Sequence, residues 1–335
     1  MPHGDVLPGP AFRQRAPWWG GDLQTLRNSL LPDPAPLPGE RVFIPMDDGT
    51  GDQLCGLLNR GADEGGTLIV LVHGLSGHEA SSYMTIIARQ LSLAGYATVR
   101  LNMRGAGFSR AHCRQHYHAG RSEDLRRAIE HLCAMGDWRD AVLVGFSLGG
   151  NIALKCAAEA PVNGRLAGVV SVSAPIDLAH TSRHMLSGRS WLYHQALLRP
   201  FKREVLRMRG LTGAEAEAVR GARTFLELDD RFVAPRNGFA SAWDYYARSM
   251  ALQFVDAIAL PGLIIHALDD PIVPPRAYLK HDWRRNKRLQ VRLLRHGGHV
   301  GFHRAGGPPW YVGETLGFLH RLTGRPAVAP ASSTR

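Results

Sequence analysis

The chain has 335 residues, of which 44% are hydrophobic, and its formal net charge at pH 7 is +11. A chain of this length and composition can bury a large core, and we expect one α/β domain that carries an insertion. The charge comes mostly from arginine, since only four lysines are present, and no recognition motif for nucleic acid accompanies it. We therefore expect no nucleic-acid partner.

Cysteine usage and the apolar segments indicate the compartment. The four cysteines have no CxxC spacing, and a chain of this size needs no disulfides to fold, so we expect free thiols in a reducing environment. The N-terminus lacks the apolar core of a signal peptide, and no segment has the about 18 apolar residues of a membrane-spanning helix. These features predict a cytoplasmic protein, while peripheral contact with a membrane stays open.

The first segments of the chain differ from the rest. Residues 1–39 are rich in proline, which predicts an arm that lies over the domain without joining its sheet. Residues 40–58 predict two antiparallel strands joined by a turn of Asp and Gly. The domain itself is expected to span residues 40–325, and the tail, residues 326–335, is predicted to be disordered.

Beyond residue 58, short apolar runs alternate with longer helical patterns. Such runs are typical of parallel strands that helices cover on both faces. The runs span residues 67–74, 96–105, 141–147, 166–175, 262–270 and 289–299. Helical patterns span residues 81–94 and 123–135, the segment after Ser147, and residues 310–322. The alternation predicts a doubly wound, mostly parallel α/β sheet.

One connection is far longer than a single crossover helix requires. Residues 176–260 lie between two predicted strands and contain several helical patterns. We interpret this segment as a helical cap over the carboxyl ends of the strands, where sheets of this kind bind ligands. The stretch "RSWLYHQALL" offers four apolar side chains as candidate lining above the site: Trp191, Leu192, Tyr193 and Leu197.

The stretch "VLVGFSLGGNIALK" contains a candidate nucleophile. Gly145, Ser147 and Gly149 form a GxSxG pattern directly after a predicted strand and before a predicted helix. In so sharp a turn the flanking positions must be glycine, because a Cβ there would strike neighbouring backbone, and the serine side chain projects above the sheet. The pattern indicates that Ser147 is a nucleophile.

A serine nucleophile needs a general base that a carboxylate orients. The segment "HALDDPIVP" places Asp269 and Asp270 at the end of one predicted strand, and "RHGGHVGF" places His296 and His299 after the last strand. The order Ser, Asp, His along the chain is the order found in α/β hydrolases. The oxyanion of the intermediate also needs two backbone donors, for which we expect the N–H groups of Leu148 and, from the loop "VHGLSGH", Leu75.

Other histidines raise the question of a metal. His73 and His78 lie in the loop expected to form the oxyanion hole, where we interpret them as shaping the loop. The segment "HCRQHYH" contains four residues of types that bind zinc: His112, Cys113, His116 and His118. No second cluster or acidic partner at a recognisable spacing supports a metal site, so we expect no metal.

Taken together, these segments resemble the YheT-like branch of the α/β-hydrolase superfamily, which also contains animal abhydrolase-domain lipases. The resemblance covers roughly residues 12–322 and is carried by "WWGGDLQTL", "HGLSGHEASSYMTIIARQLSLAGYATVRLNMRGAGFS", "HYHAGRSEDL", "GFSLGGNIALK", "FLELDDRFVAPRNGFASAWDYYARS", "ALDDPIVP" and "GGHVGF". It implies a triad of Ser147, Asp270 and His299, a structural role for "HYHAG", and hydrolysis of carboxylic esters without a cofactor. Asp269 is then expected to cap its turn or to contact the cap.

The leading hypothesis is a serine esterase that acts on a small-molecule ester with a short or medium acyl chain. Transfer of the acyl group to an alcohol is an alternative, because it uses the same acyl-enzyme. A non-catalytic binding protein that retains the fold is an alternative of another class, against which the complete set of catalytic residues argues. Halide chemistry is disfavoured because serine, not aspartate, stands at the turn after the strand.

Overall fold

The computed structural model describes residues 12–62, 65–136, 138–159 and 164–325. Its strands are β1 Glu40–Pro45, β2 Gln53–Asn59, β3 Thr67–Val72, β4 Ala97–Asn102, β5 Asp140–Phe146, β6 Leu166–Val172, β7 Gly262–Ala267 and β8 Leu289–Leu294. They form one sheet in the order β1-β2-β4-β3-β5-β6-β7-β8. β1 and β2 pair antiparallel, β2 pairs antiparallel with β4, and all later pairs are parallel. This topology confirms the predicted doubly wound, mostly parallel sheet.

The apolar runs became strands because both faces of the sheet are buried. All six residues of β3 are buried. Leu68 and Val70 pack in the core on one side of the sheet, while Ile69 and Leu71 pack in the core on the other. Successive side chains of a strand point to opposite faces, so a strand between two cores is apolar along most of its length.

Helices cover both faces. α2 Ser82–Leu93 and the closing helix α12 Trp310–Thr323 pack in one core, and α3 Glu123–Gly136 and α4 Leu148–Ala158 pack in the other. The short helix α11 Arg276–Lys280 and a 3-10 turn, Trp283–Arg285, connect β7 to β8. A further 3-10 turn, Gly107–His112, follows β4. No helix in the described ranges is long and apolar enough to cross a bilayer.

The long connection between β6 and β7 is helical. It contains α5 Leu178–His184, α6 Ser190–Val205, α7 Gly213–Gly221, α8 Phe225–Leu228, α9 Ala234–Arg236 and α10 Ala242–Ser249. A single π-helical turn, Asp229–Val233, joins α8 to α9, and two 3-10 turns, Ala251–Gln253 and Val255–Ala257, lead to β7. Phe201 and Val205 of α6 and Tyr245 of α10 are buried in the same core as α4. The insertion therefore packs on the face of the sheet that carries α4.

The arm contains a helix that its proline content did not predict, α1 Gly20–Leu30. This helix is held by tertiary contacts and not by an apolar face of its own, since the buried residues in it are Gly21 and Gln24. Gln24 donates to the carbonyls of Trp18 and His303. Residues 1–11 of the predicted arm and the predicted disordered tail, 326–335, lie outside the described residues.

Candidate active site

Ser147 stands at the sharp turn between β5 and α4. Its backbone has φ 50° and ψ −123°, a conformation rare for a residue with a side chain. A Cβ at Gly145 would lie 2.4 Å from the carbonyl oxygen of Gly149, and a Cβ at Gly149 would lie 2.3 Å from the carbonyl oxygen of His73. Both glycines are therefore required for the turn that presents the serine side chain.

His299 lies between Ser147 and Asp270 in one hydrogen-bonded chain. The distance from Ser147 Oγ to His299 Nε2 is 2.9 Å, and the distance from His299 Nδ1 to Asp270 Oδ2 is 2.8 Å. The Asp270 side chain is fully buried. Because a carboxylate can only accept a hydrogen bond, His299 carries a hydrogen on Nδ1 and donates it to Asp270. His299 Nε2 then carries a lone pair directed at the serine hydroxyl, as a general base requires.

Asp270 is held in place through its second oxygen. Asp270 Oδ1 accepts the backbone N–H groups of Ile272 and Val273 at 2.8 and 2.9 Å. Burial acts to raise the pKa of Asp270, but the charge and hydrogen bond of His299 and the backbone donor of Val273 together hold that pKa below its ordinary value. The carboxyl group therefore stays ionised at neutral pH, oriented toward the histidine.

The neighbouring Asp269 points elsewhere, as consecutive residues at a strand end do. Asp269 Oδ1 accepts the N–H of Gly298 at 3.0 Å, and Asp269 Oδ2 lies 3.1 Å from Nδ1 of His296. Asp269 was expected to cap its own turn or to contact the cap, and the structure instead shows it anchoring the loop that carries His299. His296 lies outside the hydrogen-bonded chain, with its side chain 57% exposed.

The loop after β3 passes directly over Ser147. A Cβ at Gly74 would lie 3.0 Å from Ser147 Cβ and 3.6 Å from Ser147 Oγ. Among the described residues, the backbone N–H groups of Leu75 and Leu148 have no hydrogen-bond partner. The backbone N–H of Ser76, the residue after Leu75, donates to the Tyr117 hydroxyl at 2.8 Å. Two unpaired donors beside the nucleophile are what an oxyanion hole provides.

His73 fixes the shape of this loop. Its Nδ1–H donates to the carbonyl of Gly74 at 2.7 Å, and its Nε2 accepts the N–H of Met103 at 3.0 Å. Burial lowers the pKa of His73 to about 4, so the ring is neutral and keeps both bonds. His78 Nδ1 accepts the N–H of Ala80 at 3.2 Å, and His78 also lines the cavity described below.

The arm also contacts His299, a contact that no periodic pattern in the sequence indicates. Thr25 Oγ1, on α1, accepts the backbone N–H of His299 at 2.8 Å and donates to the carbonyl of Gly21 at 2.7 Å. The fit is close, because a Cβ at Gly298 would lie 2.4 Å from the Gly21 oxygen. The signal available in the sequence was Gly21 in "WWGGDLQTL", where a Cβ would lie 1.9 Å from the carbonyl oxygen of Asp269.

A cavity of about 540 Å³ opens over the nucleophile. Tyr193 and Leu197 line it, four residues apart on α6. Trp191 and Leu192 do not, which corrects the expectation for these two residues. Trp191 stacks on His194 at 4.9 Å between ring centroids, and Leu192 is 72% exposed. On a helix, residues four apart share a face, whereas adjacent residues lie about 100° apart.

The His and Cys side chains of "HCRQHYH" each contact a different part of the protein. Cys113 Sγ donates to the carbonyl of Gln53, the ring of His112 stacks on Phe108, and His116 Nε2 lies 3.3 Å from a Glu204 oxygen. His118 packs edge-on against Tyr245 and lines the cavity. Within the described ranges, no group of three or more His, Cys, Asp or Glu side chains is placed to hold a metal ion.

The fold and the geometry at Ser147 define an α/β hydrolase, and comparison with known proteins gives the same class. The family model for the alpha/beta hydrolase fold matches residues 67–305, so the chain belongs to this family. Within it, the chain belongs to the YheT-like branch. The protein named "Putative esterase YheT" in Escherichia coli is 31% identical over 238 residues, which cover 70% of each chain.

Two further relatives extend the comparison. A Saccharomyces cerevisiae protein named monoacylglycerol lipase is 26% identical over 272 residues, covering 77% of this chain and 60% of its own length. The solved structure of the Pyrococcus furiosus esterase Pf2001 aligns with a TM-score of 0.59 at 16% identity, covering 87% of this chain and 100% of that one. This structural likeness shows the shared fold.

Proposed function

We propose that the protein is a serine hydrolase that cleaves carboxylic esters of small or medium acyl chain through an acyl-enzyme formed on Ser147. The observation that carries the proposal is the hydrogen-bonded chain from Ser147 Oγ through His299 to Asp270, which faces a cavity. The names of the relatives, which include an esterase and a monoacylglycerol lipase, support ester hydrolysis in general.

The first half of the reaction forms the acyl-enzyme. Ser147 Oγ attacks the ester carbonyl carbon while its proton passes to His299 Nε2. The carbonyl oxygen becomes an oxyanion that accepts the N–H groups of Leu75 and Leu148. As the tetrahedral intermediate collapses, the bond to the leaving alcohol breaks and His299 returns the proton to the alcohol oxygen.

The second half releases the acid. Water gives a proton to His299 Nε2 as its oxygen attacks the acyl carbon, and the bond to Ser147 Oγ then breaks as Ser147 recovers its proton. Asp270 accepts the hydrogen bond from His299 Nδ1–H throughout and stabilises the positive charge that His299 acquires twice in each cycle. The chain's own residues supply every proton transfer in this scheme.

The cavity favours a substrate of limited size. A volume of about 540 Å³ falls within the range of pockets that enclose small organic ligands. Its lining is largely apolar near α6, where Leu197 and Phe201 contribute. These features suit an acyl chain of a few to several carbons.

The test is hydrolysis of p-nitrophenyl acetate, butyrate and octanoate by the wild type and by Ser147→Ala. We expect the wild type to hydrolyse at least one ester and the variant to lose about 10⁶-fold in kcat, as when a triad acts as a unit. Ser187→Ala, at an exposed serine, is the matched control and should retain full activity. Unchanged hydrolysis by Ser147→Ala would overturn the proposal, and added alcohol that yields a new ester in place of acid would show acyl transfer.

A further inference from the structure

A cluster of polar side chains lines the cavity away from the triad, and the mechanism above does not use it. Asp229, Tyr245 and Tyr246 lie in the insertion, and all three line the cavity. Asp229 opens the π-helical turn, Asp229–Val233, that interrupts the helices of the insertion. Turns of this kind are rare and frequently lie at functional sites.

One oxygen of Asp229 is engaged and the other is free. The Tyr246 hydroxyl donates to Asp229 Oδ2 at 2.5 Å. Because this bond uses the Tyr246 proton, Ser182 Oγ, at 3.2 Å, must donate to the Tyr246 oxygen. Asp229 Oδ1 has no hydrogen-bond partner and no ion pair among the described residues, and the side chain is partly accessible from the cavity.

Tyr245 completes the cluster. Its hydroxyl oxygen accepts the N–H of Ala119 at 2.8 Å, and its own proton has no acceptor in the described part of the chain. His118, which also lines the cavity, accepts the N–H of Gly120 on Nδ1 at 3.2 Å. When neutral it therefore carries its hydrogen on Nε2. The cavity wall thus offers a free acceptor at Asp229 and a free donor at Tyr245.

Structural need does not explain this carboxyl group. The cavity wall around it includes Leu178, Met185 and Val233, and a carboxyl group without a cation in such surroundings is costly to keep. Burial raises the pKa of Asp229 to about 7. Burial therefore disfavours the ionised form of this carboxyl group, and a ligand that donates to the free oxygen would favour that form.

We propose that Asp229, with Tyr245 and Tyr246, forms a subsite that binds a hydroxyl group carried by the ester substrate. This inference rests on the proposed function. A hydroxyl group can both donate and accept, so it has the chemistry to pair with Asp229 Oδ1 and with the Tyr245 proton. The hydroxyl can belong to the acyl chain or to the alcohol, and the subsite makes Asp229 a specificity residue and not a participant in the chemistry.

The test compares matched esters with and without the hydroxyl. For the acyl side, the probes are p-nitrophenyl octanoate and its ω-hydroxy analogue, and for the alcohol side, hexyl butyrate and its ω-hydroxy analogue. We expect the wild type to favour the hydroxylated member of at least one pair by about tenfold in kcat/KM, the effect of one hydrogen bond to a charged group. The pair that shows the preference identifies the source of the hydroxyl.

Variants assign the preference to the carboxyl group. Asp229→Leu should bring the ratio of kcat/KM close to one while hydrolysis of the plain ester continues. Asp229→Asn keeps an oxygen acceptor and should restore part of the preference, which also serves if the leucine variant does not fold. Asp230→Asn changes the adjacent, exposed aspartate and should keep the wild-type ratio.

Each result has one meaning. Hydrolysis of the plain esters with no preference for either hydroxylated analogue overturns the subsite and leaves the proposed function standing. A preference that survives in Asp229→Leu assigns it to other residues and also overturns the inference. A stronger preference for an ω-amino analogue would show that the subsite binds a cationic group, and it would overturn the hydroxyl ligand proposed here. Failure to hydrolyse any ester would overturn the proposed function, and the subsite with it.

Discussion

Replacement of Asp270 by asparagine should disable the histidine without unfolding the site. The backbone N–H groups of Ile272 and Val273 both point at Oδ1, so they select the amide oxygen of an asparagine for that position. The amide nitrogen must then face His299 Nδ1, in place of the oxygen now 2.8 Å away. Because an amide nitrogen only donates, His299 must carry its hydrogen on Nε2 and can no longer accept the serine proton.

The wrong tautomer of His299 determines how far kcat should fall in Asp270→Asn. In other triads the same substitution lowers kcat by about 10⁴-fold, which corresponds to about 5 kcal/mol in the activation barrier. The assay is kcat for p-nitrophenyl butyrate at neutral pH, with thermal unfolding measured in parallel. Asp270→Asn should melt as one cooperative unit and show the loss in kcat.

Asp269→Asn is the matched control at the adjacent position. Its amide oxygen can still accept the N–H of Gly298, and the contact that it weakens is with the exposed side chain of His296. Such exposed pairs contribute about 1 kcal/mol or less, so kcat should fall by no more than about fivefold. The reverse ranking of the two variants would move the catalytic acid to Asp269, and equal losses would refute the argument from the tautomer.

Three further predictions test the arm, the cavity and the buried histidines. Thr25→Val removes the acceptor for the His299 N–H, and kcat/KM should fall about tenfold while Thr25→Ser stays near wild type; an unchanged rate in Thr25→Val would exclude the arm from the site. Leu197→Ala should raise the ratio of octanoate to butyrate hydrolysis about tenfold, whereas Leu192→Ala, at a 72% exposed position, should leave it unchanged; equal effects would contradict the assigned lining. Burial lowers the pKa of His73 and His266 from 6.5 to about 4. It lowers the pKa of His118 and His303 to about 3. Below about pH 6.5 the unfolded chain binds protons on these residues and the folded chain does not, so their contribution to the free energy of unfolding should decrease as the pH falls. Urea unfolding at a series of pH values measures this slope, and a stability that does not change between pH 6.5 and 4 would contradict the neutral state of these rings.

The strands, and the candidate catalytic residues that follow them, could be predicted because each is indicated by a short local stretch of sequence. Each apolar run that is buried on both faces is visible in the sequence, and the residue that follows a parallel strand lies at the carboxyl edge of the sheet. This reasoning places Ser147 after β5, Asp269 and Asp270 after β7, and the two histidines after β8. It does not choose within each pair, because the choice depends on which side chain faces Ser147.

Contacts between distant segments were not predictable from such patterns. Thr25 and His299 are 274 positions apart, and α1 has no apolar face that would indicate where it packs. Likewise, Asp229 lies within "FLELDDRFV", and no pattern in the sequence indicates the π-helical turn at which it begins or its place in the cavity wall. The cap stretch "RSWLYHQALL" identified the correct helix, and only the helix orientation separates Tyr193 and Leu197 from Trp191 and Leu192.

The most direct test of the central claim is to label the purified protein with a fluorophosphonate and locate the adduct by peptide mass spectrometry. The phosphonyl group mimics the tetrahedral intermediate, so it bonds to a serine that an adjacent histidine activates. We predict one adduct per chain, on Ser147, with ester hydrolysis lost in proportion to labelling and no adduct in Ser147→Ala. An adduct on another residue, or hydrolysis that persists when Ser147 is fully labelled, would contradict the account.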